Sequence, residues 1–347
     1  MTIVVDGRPV RFGLWYDFRN PTDWERPFDS LYAETLEHIL AAEELGFDDI
    51  WTSEHHFIKD GYSPSLLPIC AAIAARTERV RIGTNVLLLP LHDPLRVAED
   101  AATVAVISGG RFDLGVANGY RVGEFEGMHI DRRTRAARME EAVQVIHRSW
   151  EPGSFSFAGT HYNYTDVDVT PKPVQRPAPL WMGGFADAAV RRAGRIADGL
   201  LAAANVVPLY LEARKAAGRD NGPDRIALSL PWVAISESPD EDWEKLVPYV
   251  FYQRRLYATW FSEAGTPIFG NIPESIEDVR DRSADAVVTP ERAAEIVSNL
   301  CRRVPVTHLY WWAVPPGVPP TQMLTSATLF MEKAAPLIAK VIPGRCR

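Results

Sequence analysis

VRIGTNVLLLPLHDPLRVAEDAATVAVISGGRFDLGVA, residues 80–117, reads as a strand, a helix and a second strand. Val80–Leu89 is an apolar run of strand length, and Phe112–Ala117 is another. Between them Pro94 opens a helix that runs to about Ile107, proline being well placed in a first helical turn. The alternation continues on both sides. Upstream lie a strand at Phe12–Tyr16, a helix at about Ser30–Leu45 with Leu31, Leu36, Ile39, Leu40 and Ala41 at helical spacing, and a strand at Asp49–Ser53. Gly46 stands where a C-cap glycine would. Downstream come a helix at Thr134–Trp150, a strand at Leu180–Met182, a helix at Ala186–Ile196, and strands at Gly199–Ala202, Ile226–Ile235 and Thr307–Val314 before a last helix at Met323–Ile338.

Eight strands alternating with helices point to parallel strands joined by crossover helices. Several strands are continuous apolar runs, which suits burial on both faces. An open doubly wound sheet satisfies the same alternation, but Phe12–Tyr16 runs into Asp17-Phe18-Arg19-Asn20, with no dinucleotide-type glycine fingerprint. The expected fold is therefore α/β, a (β/α)8 TIM barrel forming one domain over residues 1–347. Two insertions interrupt it. Residues 153–170 carry Phe155, Phe157, Tyr162 and Tyr164 at period two, a hairpin before the fifth strand. Residues 240–283, between the seventh and eighth strands, are aromatic-rich and too long for a structureless loop, so helix is expected there. The aromatics Tyr249, Phe251, Tyr252, Tyr257, Trp260 and Phe261 around Arg254 and Arg255 form either a lid over a substrate or an interface or packed helix.

Composition narrows the function. The chain has 347 residues, 46% hydrophobic and 24% charged, enough to bury a core without a disulfide or metal staple. With 37 Lys and Arg against 45 Asp and Glu, the net charge of −8 disfavours nucleic acid and anionic membrane surfaces as partners. Cys70, Cys301 and Cys346 are far apart, odd in number and without metal-ligand spacing, which suits a reducing compartment. Met1–Arg11 has no long apolar stretch and nothing in the chain approaches a membrane span, so the cytoplasm is the expected location.

Four strand ends carry candidate chemistry. Glu54-His55-His56-Phe57 follows the second strand, at the rim where barrel active sites lie. The histidines could serve as base, hydrogen-bond donor or metal ligand, or simply bond within their loop. Neighbours on an extended segment point opposite ways and no third ligand is evident, so no metal is expected. Gly183-Gly184 opens a helix at Ala186, either an anion site at a helix N-terminus or a tight turn. Asn118-Gly119-Tyr120-Arg121 follows the fourth strand, with Arg121 either a phosphate or carboxylate ligand or a solvent-facing side chain. Gly83-Thr84-Asn85-Val86 lies within the third strand, where Gly and Asn suggest close approach of a ligand or a polar layer.

Together the runs EHHF, GTNVLLLPLHDPLRVAEDAATVAVISGGRFDLGVANGY and TPKPVQRPAPLWMGG resemble the bacterial-luciferase-like flavin monooxygenases, from Phe12 to about Ala204. The resemblance implies reduced flavin bound at the C-terminal rim, with His55 at the family's active-site histidine, flanked by Glu54 and His56. It implies that Thr84, Asn85 and Val86 lie against the isoalloxazine ring, with a cis peptide at Asn85–Val86. It further implies flavin contacts from Asn118, Gly119 and Tyr120, and a phosphate turn at Gly183, Gly184, Phe185 and Ala186. The chain departs from luciferase itself, which has an arginine for the flavin phosphate where Asn118 stands here. Arg121 could supply that charge from a shifted place. The activity so implied is a two-component monooxygenase using reduced FMN, a partner flavin reductase and oxygen on a small organic substrate, in a homodimer. The same family includes hydride-transferring enzymes that use coenzyme F420, for whose tail Arg121, Arg132, Arg133 and Arg135 could form a basic surface. It also includes non-catalytic flavin-binding relatives.

Overall fold

The computed structural model describes residues 3–5, 8–266, 268, 270–280 and 285–341. Cys346 and the end of the 240–283 stretch lie outside them. Eight parallel strands belong to one sheet whose ends also pair, so the fold is a closed (β/α)8 barrel with surrounding helices. In chain order the strands are β1 (Arg8–Tyr16), β2 (Asp49–Thr52), β3 (Arg81–Thr84), β4 (Phe112–Val116), β5 (Leu180–Gly183), β6 (Gly199–Ala202), β7 (Ile226–Ser229) and β8 (His308–Trp312). The helices are α1 (Phe28–Leu45), α2 (Leu66–Arg76), α3 (Pro94–Ile107), α4 (Val122–Gly127), α5 (Arg135–Trp150), α6 (Asp187–Ile196), α7 (Val207–Ala216), α8 (Pro239–Glu263), α9 (Ile276–Arg280), α10 (Pro290–Arg303), α11 (Pro320–Leu329) and α12 (Ala335–Val341). A π-helical turn at Phe330–Ala334 joins the last two. Among the described residues, no helix is long and apolar enough to cross a membrane.

Contacts divide the chain into two compact units. The first comprises residues 1–50, 58–63 and 226–347. In it β8 pairs with β1 in the register His308↔Arg11 to Trp312↔Trp15, and with β7 from Ala227↔His308. Its core holds Phe12, Phe47, Trp232, Trp311 and Phe330, where Trp311 meets Phe47, Trp232 and Phe330 at ring distances of 4.8–5.7 Å and Phe12 meets Phe330 at 5.0 Å. The long aromatic helix α8 is fastened in the same unit by polar tips. Tyr252 donates to Asp60 at 2.8 Å and the Tyr62 and Tyr257 hydroxyls meet at 2.9 Å. Arg19, wholly buried, pairs with Asp60 at 2.7 Å and lies over the Tyr62 and Tyr252 rings at 5.0 and 5.2 Å. Burial pushes the neighbouring Asp17 carboxyl up to about 7, with Arg19 opposing and Asp60 adding.

The second unit comprises residues 51–57 and 64–225. Here β3 pairs with β4 through Ile82↔Phe112, β4 with β5 through Leu114↔Leu180, and β5 with β6 through Trp181↔Gly199. The 153–170 stretch forms an antiparallel pair, Phe155–Ala158 with Asn163–Val167. Gly115 shows how tightly the strands approach, since a Cβ there would lie 2.0 Å from the Thr84 carbonyl.

Two strands are shorter than their apolar runs suggest. The third ends at Thr84, not Leu89, and Leu89–Leu91 is a 3-10 turn. Leu87 still bridges Val116 of β4, and Leu88 and Leu89 are apolar because they are buried, not because they are paired in the strand. The Glu54 carboxylate takes the Leu88 N–H that a strand would give to its neighbour. The seventh stops at Ser229 because Pro231 has no N–H to donate. Ala234–Ile235 then pairs with Val287–Val288 in a separate two-stranded sheet.

Candidate functional site

The second unit gathers most of the predicted residues at the C-terminal ends of β2 to β5. After β2 the chain turns at Phe57, which has φ +59°, and draws Glu54, His55 and His56 inward, all nearly buried. Their partners come from further along the chain. His55 Nδ1 lies 2.7 Å from Oε1 of Glu124, a fully buried carboxylate on the short helix α4. The same oxygen accepts the His56 N–H at 3.0 Å and Arg121 Nη1 at 3.2 Å, while Oε2 has no hydrogen-bond partner. Burial raises the Glu124 carboxyl, but the hydrogen bond and charge of His55, the His56 amide and Arg121 outweigh it and hold it below its usual range. On the other side of the imidazole, the Tyr120 hydroxyl stands 3.4 Å from His55 Nε2, with the two rings edge to face.

Glu54 and His56 form a second group with His92, which precedes α3. Glu54 Oε1 meets His56 Nε2 at 2.5 Å and His92 Nε2 at 2.7 Å, and Oε2 accepts the Leu88 N–H at 2.7 Å. The three donor atoms lie within 4.8 Å of one another, so the fold supplies the third group that the sequence does not reveal. The separations are hydrogen-bond lengths and every Glu54 oxygen is engaged, which describes an ionic hydrogen-bond triad. Burial alone would raise Glu54; the charge of His92 and the bonds from both histidines hold it at about 2 instead. His92 is raised in turn, burial opposing and Glu54 prevailing.

Asn85 follows β3, its peptide with Val86 cis as the resemblance implies. The Asn85 amide donates to Thr52 at 2.6 Å, but its side-chain Nδ2 is buried with no partner. Asn118 Oδ1, beyond the end of β4, is likewise buried and unpartnered. Next to it Gly119 takes φ +71°, a conformation that suits glycine. Thr84 is turned elsewhere. Its hydroxyl donates to the Gly115 carbonyl at 2.6 Å and accepts the Gly115 N–H at 2.8 Å, locking β3 to β4. At β5, a Cβ on Gly183 would lie 2.9 Å from Val86, and one on Gly184 2.8 Å from Ala189, so both glycines are needed for packing. Phe185 is exposed, and Ala186 caps α6 without a side-chain hydrogen bond to the first-turn amides.

Arg121 turns towards the His55–Glu124 pair. Its Nη1 is spent on the His56 carbonyl at 2.8 Å and on Glu124. Of the other arginines, Arg133 is paired with Asp131, and Arg132 and Arg135 bond to the carbonyls of Tyr120 and Arg132. Glu124 and His92 escape sequence reasoning: Glu124 has Glu126 two residues on and His92 has Asp93 beside it, and only burial sets them apart from these exposed neighbours.

Asn85 Nδ2 is a donor and Asn118 Oδ1 an acceptor, both orphaned in the interior, where an unmade hydrogen bond costs about 1–3 kcal/mol. The pyrimidine edge shared by flavins and deazaflavins alternates carbonyl and N–H, and so offers the complement of both. On donor and acceptor type the residues fit such a ring.

Comparison with known proteins agrees. A family model described as luciferase-like monooxygenase matches residues 10–298. The chain is 33% identical over 221 residues to an F420-dependent glucose-6-phosphate dehydrogenase of Microbacterium testaceum, 60% of this chain and 66% of that protein. It is 30% identical over 176 residues to the oxygenase component of a flavin-dependent trigonelline monooxygenase of Acinetobacter baylyi, 50% of this chain and 48% of that one. The matched segments thus span about half to two thirds of these relatives. Among solved structures, the monooxygenase RslO1 of Streptomyces bottropensis superposes with a TM-score of 0.82 at 24% identity, covering 94% of this chain and 99% of that one, a likeness of fold.

Proposed function

The chain belongs to the luciferase-like monooxygenase family, and from that premise we propose that it is a flavin-dependent oxidoreductase, the oxygenase of a two-component monooxygenase acting on a small organic substrate. The observation that carries the reading is that Asn85 Nδ2, just after β3, and Asn118 Oδ1, just after β4, are both buried without partners, in the same unit as the buried His55–Glu124 pair. Reduced FMN bound there would supply the electrons for oxygen activation, as bound F420 would supply or accept a hydride. Asn85 and Asn118 would orient the ring edge, Val86 would pack against the ring, and Gly119 and Tyr120 would border it. The first-turn amides of α6, behind Gly183, Gly184, Phe185 and Ala186, would receive the cofactor phosphate. His55 would hold or move a proton at Nε2. A separate reductase would deliver reduced flavin, a role that the oxygenase-component relative supports. Pairing with a second copy and a cytoplasmic location, in keeping with the buried free thiols Cys70 and Cys301, complete the proposal.

A second reading, F420-dependent hydride transfer, is favoured by the dehydrogenase relatives. The EHHF run supports the flavin over the deazaflavin. A non-catalytic flavin binder would have little use for a buried carboxylate held against an active-site imidazole. The deciding experiment is an anaerobic fluorescence titration with reduced FMN and, separately, with F420, followed by mixing with oxygen. Reduced FMN should bind and be oxidised on the protein faster in the presence of substrate. F420 binding without FMN binding would move the protein to the hydride-transfer branch. Binding of neither would sink both readings.

A further inference from the structure

The Glu124–His55–Tyr120 arrangement goes beyond a cofactor pocket. An ionised carboxylate only accepts hydrogen bonds, so the 2.7 Å contact with Glu124 puts the hydrogen on His55 Nδ1. In the neutral ring Nε2 is then the acceptor, which is the nitrogen that Tyr120 approaches at 3.4 Å. The carboxylate is itself oddly served: three donors converge on Oε1 and none reaches Oε2, in a side chain with no exposure. Shape and hydrogen bonding alone would be met by a neutral amide, whose carbonyl could take Oε1's place and accept from all three donors. Keeping a charge in the interior is expensive, so the charge needs a use.

We propose that Glu124 is a positioning residue whose negative charge sets His55 with hydrogen on Nδ1 and supports it as the proton acceptor of the site through Nε2. A proton arriving at Nε2 makes an imidazolium with N–H on both nitrogens. Its positive charge faces the Glu124 carboxylate, which keeps its own charge throughout, and the proton leaves again from Nε2. Arg121 and the His56 amide anchor Oε1, so the carboxylate does not turn when the ring changes charge. The inference rests on the reading that this rim is the reaction site, but its core claim concerns the protein alone.

The test has two independent arms. In the cofactor-free protein with ring-labelled histidine, 15N NMR at a pH high enough to give the neutral ring should show the hydrogen of His55 on Nδ1; a signal from the opposite tautomer overturns the proposal whatever the cofactor. In the loaded enzyme, Glu124→Gln keeps the shape and the acceptor at Oε1 while removing the charge. Its kcat should fall roughly 100-fold or more, with KM and cofactor affinity near wild type, as expected when a general base loses its support. Glu124→Asp, which restores the charge on a shorter arm, should recover part of that loss. Added to His55→Ala, Glu124→Gln should cost nothing further. Wild-type kcat in Glu124→Gln would make Glu124 a structural strut and sink the idea. Failure of the wild type to bind either cofactor would count against the functional reading, and the NMR arm would still decide the tautomer.

Discussion

Glu54 shows at the residue scale how burial and charge compete. Its carboxyl drops from 4.5 to about 2 because His92 and His56 outweigh the cost of burial. A depressed acid stabilises the fold above its unfolded value and loses that contribution as pH falls through the folded value. The stability gap between wild type and Glu54→Gln should therefore be full at pH 7 and close between about pH 4.5 and 2. A shift of this size is worth on the order of 3 kcal/mol, and urea melts at pH 7, 4 and 3 would read it. A gap that stays constant down to pH 3 would show that folding does not depress the Glu54 carboxyl. The sequence places Glu54 and His56 at the rim but gives no hint of His92, 38 residues from Glu54, because an ion pair leaves no period in the chain.

At the scale of elements, local pattern is a good guide wherever a neighbour does not intervene. Pro94 to Ile107 forms a helix to the residue, capped by Asp93, whose carboxylate accepts from the amides of Leu95 and Arg96. Gly46 closes α1 with φ +99°, as a C-cap glycine should. The third strand is interrupted after Thr84, bridges β4 once more at Leu87 and goes no further for a tertiary reason, the Glu54 carboxylate taking the Leu88 N–H. The close approach of β3 to β4 is equally invisible in the sequence, where Gly115 looks like any strand glycine. Gly115→Ala would push a methyl into the Thr84 carbonyl and Leu201 and break the hydroxyl lock of Thr84. It should destabilise by about 1–3 kcal/mol or more, the range of core overpacking. A denaturation midpoint equal to wild type would mean that the strands separate more easily than their packing suggests.

For the whole molecule, a preformed rim makes cofactor binding a source of stability. A ligand that binds only the folded chain adds about 2.7 kcal/mol at a hundred times its Kd. Reduced FMN at that excess should raise the melting temperature, and Asn85→Ala should shrink the rise; an unchanged melting temperature would argue that no cofactor site is formed. The alternation of apolar runs and amphipathic stretches determined the order of strands and crossover helices, because strand and helix periods are set by each residue's immediate neighbours and by burial, and the missing glycine fingerprint after the first strand turned that order towards the barrel. The run EHHF and the strand ends marked the rim for the same reason, since they lie where each strand must stop. What they could not contain is the pairing of His55 with Glu124, 69 residues away, or the turning of Arg121 onto that carboxylate. Those contacts depend on which strand ends become neighbours and how deeply each carboxylate is buried, and only the folded chain fixes that distance and that desolvation.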